Sequence, residues 1–294
     1  MTERIRSESG RPSQVVVVGV DGSHRAVAAA LWAADEAYER DIPLRLVYAI
    51  EPRAGMSSEI YAAHDVAAAE IATQGVVLAV QSSDKPVKIE IEILQGTALD
   101  VLADQSCAAA LVCVGTLSRE RAANHRDTST IAALSMRAAC PVVIVRGYRS
   151  ARAQYGVVLI EFEDTPDSHA VLQHGLEAAA ERDAVAQVVG HLPSSQTGSQ
   201  TKDDSAAILN ARLERHLEPW RRKYPDTHVE VHLLHGGLPK YLSQQGDSIQ
   251  MAVIGRGRRG GLNELLRQQQ PGHGLHAHDL RTQPTTLIGF KETP

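Results

Sequence analysis

Apolar runs along the chain alternate with longer stretches at helical spacing. Val15–Val20 is an unbroken apolar run, the pattern of a strand buried on both faces. Ala26–Arg40 is alanine-rich with apolar positions three and four apart, a helix pattern. Leu44–Ile50 reads as a second strand and Ile60–Gln81 as a long helix. Val87–Leu94, VKIEIEIL, alternates residue by residue, as in an edge strand with one face in water. Ala98–Ser106 predicts a short helix, Ala110–Gly115 a fourth strand, Ile131–Ala139 a helix and Pro141–Val145 a fifth strand. Strands alternating with helices in this way predict a parallel sheet covered on both faces.

The pattern then repeats. VVVVGVDG at Val15–Gly22 returns as VVLIEFED at Val157–Asp164, with Asp21 and Glu163 142 residues apart. LVCVG ends at Gly115 and MAVIG at Gly255, 140 residues later; Pro141 and Pro284 are 143 apart. Three landmarks at one period mean a duplicated domain. The second copy reads as a strand at Val157–Phe162, a helix to Arg182, a strand at Ala184–His191, a helix from Ser205, a strand at Val229–Leu234, a short helix, a strand at Met251–Gly255, a helical region and a last strand at Thr285–Gly289. The fold class expected is α/β: two tandem Rossmann-like domains, 1–148 and 149–294, each a five-stranded parallel sheet with helices on both faces. Arg146–Gln154 is the polar linker. Ser194–Asp204 is poor in apolar residues and reads as a mobile loop. In the helix after it, Ile208, Leu209, Leu213, Leu217 and Trp220 form one broad apolar face, and Pro219 is expected to kink or close it.

Composition narrows the function classes. The chain is 43% hydrophobic and 22% charged, as in ordinary globular proteins. A net charge of −5 argues against broad nucleic-acid binding, and 4% aromatics against a base-stacking platform. No apolar run reaches a membrane span. Cys107, Cys113 and Cys140 show no CxxC spacing and read as small buried hydrophobes in a reducing cytoplasm.

In open parallel sheets, ligands bind beyond the carboxyl ends of the strands, where strand order reverses. The residues at those ends are Gly19-Val20-Asp21 after strand one and Gly115 after strand four, followed by a polar loop and Thr128-Ser129-Thr130 opening a helix. A helix N-terminus with hydroxyl side chains suits a phosphate, although Ser and Thr there are also ordinary caps. There is no Walker A motif, nucleophile elbow or triad pattern, and no catalytic residue is assigned.

The residues VVVVGVDGS at 15–23, LRLVYAIEP at 44–52, VCVGT at 112–116, CPVVIVR at 140–146, and Leu213, Leu217 and Trp220 through Lys223-Tyr224-Pro225 together resemble a tandem universal stress protein of the actinobacterial type. The resemblance covers about Val15 to Ile288. It implies the five-stranded fold and, in one subclass, an ATP site with Mg²⁺. That subclass carries glycine, two residues, glycine, nine residues, then glycine and Ser or Thr. Here Gly115 takes the first glycine position, Ser118 the second and Thr128 the third, followed by Ser129. The spacing survives and two glycines do not. Thr128 is β-branched and disfavours positive φ. Asp21 matches the family acid near the nucleotide, and Ala49 the position whose backbone meets adenine. The implied nucleotide-binding set is therefore Gly19, Val20, Asp21, Ala49, Gly115, Ser118, Thr128, Ser129 and Thr130.

The second half departs further. Glu163 stands at the acid position, Glu161 interrupts the approach to it, and Gln268-Gln269 replace Gly-Ser. GRGRRGG at 255–261 remains basic and could hold an anion. Glu161 and Glu163 lie on one face of a strand and could recruit Mg²⁺, with a solvated turn as the simpler reading. His273, His276 and His278 with Asp279 suggest a metal site by composition, but a flanking PGHG loop need not make them converge; no metal ligand is assigned.

The function expected is that of a cytoplasmic, non-enzymatic stress-response regulator with an adenine nucleotide in the N-terminal half. The alternative is a member that binds no nucleotide and acts as an interaction module through its strand-five edges or the 255–275 loop, with an unknown protein partner. The resemblance implies pairing of the fifth strands, Val142–Val145 with Thr285–Ile288, within the chain. Assembly into a homodimer is compatible with the sequence. Neither nucleic acid nor a membrane is an expected partner.

Overall fold

A computed structural model of the chain describes residues 14–52, 59–115, 126–145, 156–192, 199–245, 248–256, 265 and 286–290. In the first half β1 (Val15–Gly19), α1 (His24–Glu39), β2 (Leu44–Ile50), α2 (Glu59–Gln81), β3 (Ile89–Gln95), α3 (Ala98–Gln105), β4 (Ala109–Gly115), α4 (Arg126–Arg137) and β5 (Val142–Val145) follow in order. In the second half come β6 (Val157–Phe162), α5 (Ser168–Glu181), β7 (Val185–His191), α6 (Ser199–Lys223), β8 (Val229–Leu234), α7 (Leu238–Gln245), β9 (Ile249–Gly255) and β10 (Thr286–Phe290).

All ten strands join one sheet in the order β3-β2-β1-β4-β5-β10-β9-β6-β7-β8. Each half is a parallel five-stranded unit, and the second mirrors the order of the first. The join is the antiparallel pair β5–β10, in register from Val145↔Thr286 to Val142↔Gly289. The expected pairing of the fifth strands is therefore present. It also corrects one expectation: the strand-five edges are consumed by this pairing and offer no docking edge. The remaining sheet edges are β3 and β8, as VKIEIEIL foretells for β3.

Alternation along the strands divides the core into two layers. Val16, Val18, Val158 and Ile160 face a layer that contains buried residues of α1, α2, α5 and α6. Val15, Val17 and Leu159 face one with residues of α3, α4 and α7. Both layers run across the junction. Polar contacts reinforce it. Glu36, buried in α1, is bonded by Arg40 of its own helix and by Arg182 at the end of α5. Arg40 and Arg182 occupy corresponding positions in the repeat, each at the C-terminal cap of its helix. After each, the chain turns through a left-handed aspartate, Asp41 (φ 52°) or Asp183 (φ 49°), a place usually given to glycine.

Several expectations need correction. α6 begins at Ser199, so residues 199–204 are helical and not loop. Their polarity hid this, because a helix anchored by the buried Leu213, Leu217 and Trp220 propagates outward through residues that carry no apolar signal. Pro219 lies inside α6, which continues to Lys223; Trp220, 9% exposed, holds the last turn against the core. Ile208, expected on the apolar face, is 64% exposed. Cys113 and Cys140 are buried but Cys107 is exposed. Burial drives the Cys113 thiol well above its ordinary value and pushes Cys140 up to about 12. Among the described residues, no helix is long and apolar enough to cross a membrane.

Candidate functional site

β1 lies between β2 and β4, so strand order reverses there, and open parallel sheets bind ligands beyond the carboxyl ends of strands at such a point. At that end the chain leaves β1 through a tight turn. The Val20 N–H donates to the Val47 carbonyl at 2.9 Å. The exposed Asp21 accepts the Ser23 N–H on Oδ1 at 2.9 Å. Gly22 takes φ +78°, which a side chain disfavours. Ser23 then caps α1 by accepting the Ala26 N–H at 3.2 Å. This turn fixes Asp21 at the rim.

Ala49, in β2, shares parity with Val47, whose carbonyl faces β1. The Ala49 backbone groups therefore point to the β1 side of the sheet, while those of Ile50 turn to β3, where its carbonyl takes the Gly96 N–H. A Cβ on Gly19 would lie 3.0 Å from a Leu102 methyl, a tight contact that the leucine side chain would have to relieve by moving a few tenths of an ångström. Gly115 ends β4, and a Cβ there would lie 2.5 Å from the Arg25 carbonyl oxygen. This glycine lets the first turn of α1 close on β4, a packing reason independent of any ligand.

Thr128, Ser129 and Thr130 sit on the first turns of α4, which opens at Arg126 and not at Ile131. Ser118 lies outside the described residues. The structure thus gathers Gly19, Val20, Asp21, Ala49 and Gly115 at one end of the sheet, with α4 following β4.

The second half arranges different chemistry at the corresponding positions. With the 142-residue offset, Glu161 stands where Gly19 does, Glu163 where Asp21 does and His191 where Ala49 does. Glu161, at the end of β6, is buried with its side chain 1% exposed. His191, at the end of β7, approaches its Oε1 through Nε2 at 2.7 Å. The other ring nitrogen, Nδ1, faces the Gly236 carbonyl at 3.4 Å. The hydrogen bond to Glu161 raises the His191 pKa; burial opposes this, and the charges of Glu161 and Glu163 add to the rise. Ligand atoms of Glu161, Glu163 and His191 all lie within 4.8 Å of one another.

Arg256, in the basic GRGRRGG run, points elsewhere. Its guanidinium donates to the carbonyls of Ala138 and Cys140, both at 2.6 Å, and so ties the second half to the end of α4 in the first. That corrects its reading as an anion ligand. Residues 257–261 of the run, with His273, His276, His278 and Asp279, lie outside the described residues.

The universal stress protein family model matches residues 12–146. A universal stress protein of Mycobacterium tuberculosis is 41% identical over 251 residues, covering 84% of this chain and 87% of the relative. A second from the same organism is 34% identical over 274 residues, covering 92% and 96%. The chain belongs to the universal stress protein family. A solved universal stress protein from Archaeoglobus fulgidus shares the fold over 94% of this chain and 96% of its own, with a TM-score of 0.68 and 14% identity. The stress-protein architecture is thus present in both halves, while the carboxyl-end residues have diverged between them. Glu161 and Glu163 stand out in the sequence as paired acids, whereas His191 does not. The signal was available, because the repeat offset that pairs Asp21 with Glu163 also pairs Ala49 with His191.

Proposed function

We propose that this universal stress protein is a non-enzymatic, cytoplasmic regulator whose N-terminal half holds an adenine nucleotide, ATP with Mg²⁺. The observation that carries the reading is the convergence of Asp21, the Ala49 backbone and Gly115 at the reversal point of the first parallel unit. The backbone N–H and C=O of Ala49 suit the hydrogen-bonding edge of adenine, and such readout does not depend on the side chain. Asp21, held at the rim by Ser23, suits a ribose hydroxyl or a phosphate-bound cation. The N-terminal turn of α4, carrying Thr128, Ser129 and Thr130, suits phosphate oxygens, since it offers backbone N–H groups and a positive dipole end. The nucleotide would supply a state to be sensed. Asp21 is engaged in its own turn, a positioning role, which favours binding over catalysis.

Titration calorimetry with ATP and Mg²⁺ on the intact chain tests this. The wild type is expected to bind, and Asp21→Ala to bind at least about tenfold more weakly, the loss of one charge-assisted contact. Unchanged affinity in Asp21→Ala would remove Asp21 from the site.

One observation favours a second reading, an interaction module without nucleotide. Close packing against Arg25 accounts for Gly115 fully. With the fifth strands paired, the docking edge in that reading is β3, where Ile91 is 47% exposed.

A further inference from the structure

We propose that the second half carries a divalent transition-metal site, of the kind that takes Zn²⁺, built from Glu161, Glu163 and His191. The three residues come from the carboxyl ends of two adjacent parallel strands, β6 and β7, and place one imidazole nitrogen and two carboxylates around a common point. Mixed imidazole and carboxylate donors suit Zn²⁺ and its first-row neighbours, whereas Mg²⁺ prefers oxygen alone. Metal–ligand bonds of about 2.0–2.2 Å put neighbouring donors roughly 3.3–3.6 Å apart. The ligand atoms of the three residues already lie within 4.8 Å of one another.

The surroundings fit a ligand set as well. Metal-bound histidines commonly direct their second ring nitrogen at a carbonyl or carboxylate, which fixes the ring. In His191 the Nδ1 faces the Gly236 carbonyl, which leaves Nε2 directed at Glu161. Glu161 is buried, and a carboxylate is costly to bury without a cationic partner. His191 is that partner in the metal-free chain. A divalent ion between two carboxylates and a neutral imidazole neutralises the cluster completely. Three protein ligands leave at least one coordination position open to water or an oxyanion.

The site does not depend on the nucleotide reading, since it lies in the other half. The corresponding positions in the first half, Gly19, Asp21 and Ala49, offer one ligand side chain in place of three. The repeat has thus placed a cation-binding set where the first half has glycine, aspartate and alanine.

The test is titration of the chelator-stripped, full-length protein with Zn²⁺ alone by calorimetry, and with Co²⁺ by visible absorption. One equivalent is expected to bind, with a Co²⁺ spectrum free of thiolate charge-transfer bands. His191→Ala and Glu163→Gln should each weaken binding at least roughly tenfold, and Asp21→Ala should leave it unchanged. Glu161→Gln should do the same as the other two, but Glu161 is buried, so the half-buried Glu163 decides if that variant fails to fold by circular dichroism. Absence of stoichiometric binding would overturn the proposal. So would binding that survives both His191→Ala and Glu163→Gln, or binding abolished only by substituting His273, His276 and His278.

Discussion

A Cβ on Gly175 would lie 2.5 Å from Cγ1 of Ile160, so α5 can rest on β6 only because residue 175 is glycine. The corresponding pair in the first half is Val18 and Ala33, both fully buried. One methylene has moved from helix to strand between the two copies. Gly175→Ala alone should therefore destabilise the protein by about 1–3 kcal/mol through overpacking. Adding Ile160→Val should recover much of that loss. Denaturant unfolding of the two single variants and the double variant measures the coupling, and additive effects would mean that the two residues do not share space.

Gly115 and Gly255 end corresponding strands but should differ in tolerance. A Cβ at 115 meets the Arg25 backbone at 2.5 Å, whereas at 255 its nearest neighbour is a Val171 methyl at 3.6 Å. Gly115→Ala is expected to cost on the order of 1–3 kcal/mol, because backbone must shift, and Gly255→Ala close to nothing. Thermal unfolding of the two variants checks this. Equal losses would contradict the packing explanation of Gly115.

Two histidines of the second half are displaced in opposite directions. Burial lowers the His174 pKa, with Arg40 adding to the effect and Glu177 opposing it. The hydrogen bond to Glu161 raises that of His191. Against an unfolded value of about 6.5, the signs follow from linkage. The stabilisation from the His191–Glu161 pair is fully present below about pH 6.5 and is lost as pH rises through the folded His191 value. The contribution of keeping His174 neutral is present above about pH 6.5 and is lost as pH falls through its folded value. NMR titration of the metal-free protein should show one imidazole midpoint on each side of the ordinary value. Removing the partner by Glu161→Gln should bring the His191 midpoint down, and a midpoint left in place would break the assignment.

Much of this fold could be read from periodicity alone. β2, β6 and β8 fall on the predicted residues, because continuous or alternating apolar runs bounded by polar turns admit few other readings. The 142-residue offset proved more informative than any single motif. It relates Arg40 to Arg182 and Asp41 to Asp183, two helix ends built alike. What escaped the sequence was decided by tertiary context. The polar start of α6 gives no apolar signal. The reach of Arg256 to two carbonyls across the junction depends on how the halves meet. His191 looked like an ordinary strand-end residue until β7 was laid beside β6.

The candidate site was legible in position and less so in chemistry. Gly19, Asp21, Ala49 and Gly115 meet where an open parallel sheet places its ligands. The sequence could not show that Gly115 also answers to Arg25, because that clash depends on the approach of α1 to β4.

The central claim is that the N-terminal half holds an adenine nucleotide, and its most direct measurement is release and chromatography of nucleotide from freshly purified protein, followed by titration with ATP and Mg²⁺. An adenine nucleotide is expected, either co-purified or bound at micromolar concentration, with binding reduced in Asp21→Ala and retained in His191→Ala. A protein that carries no nucleotide and gives no binding heat at several temperatures would contradict it and leave the interaction-module reading.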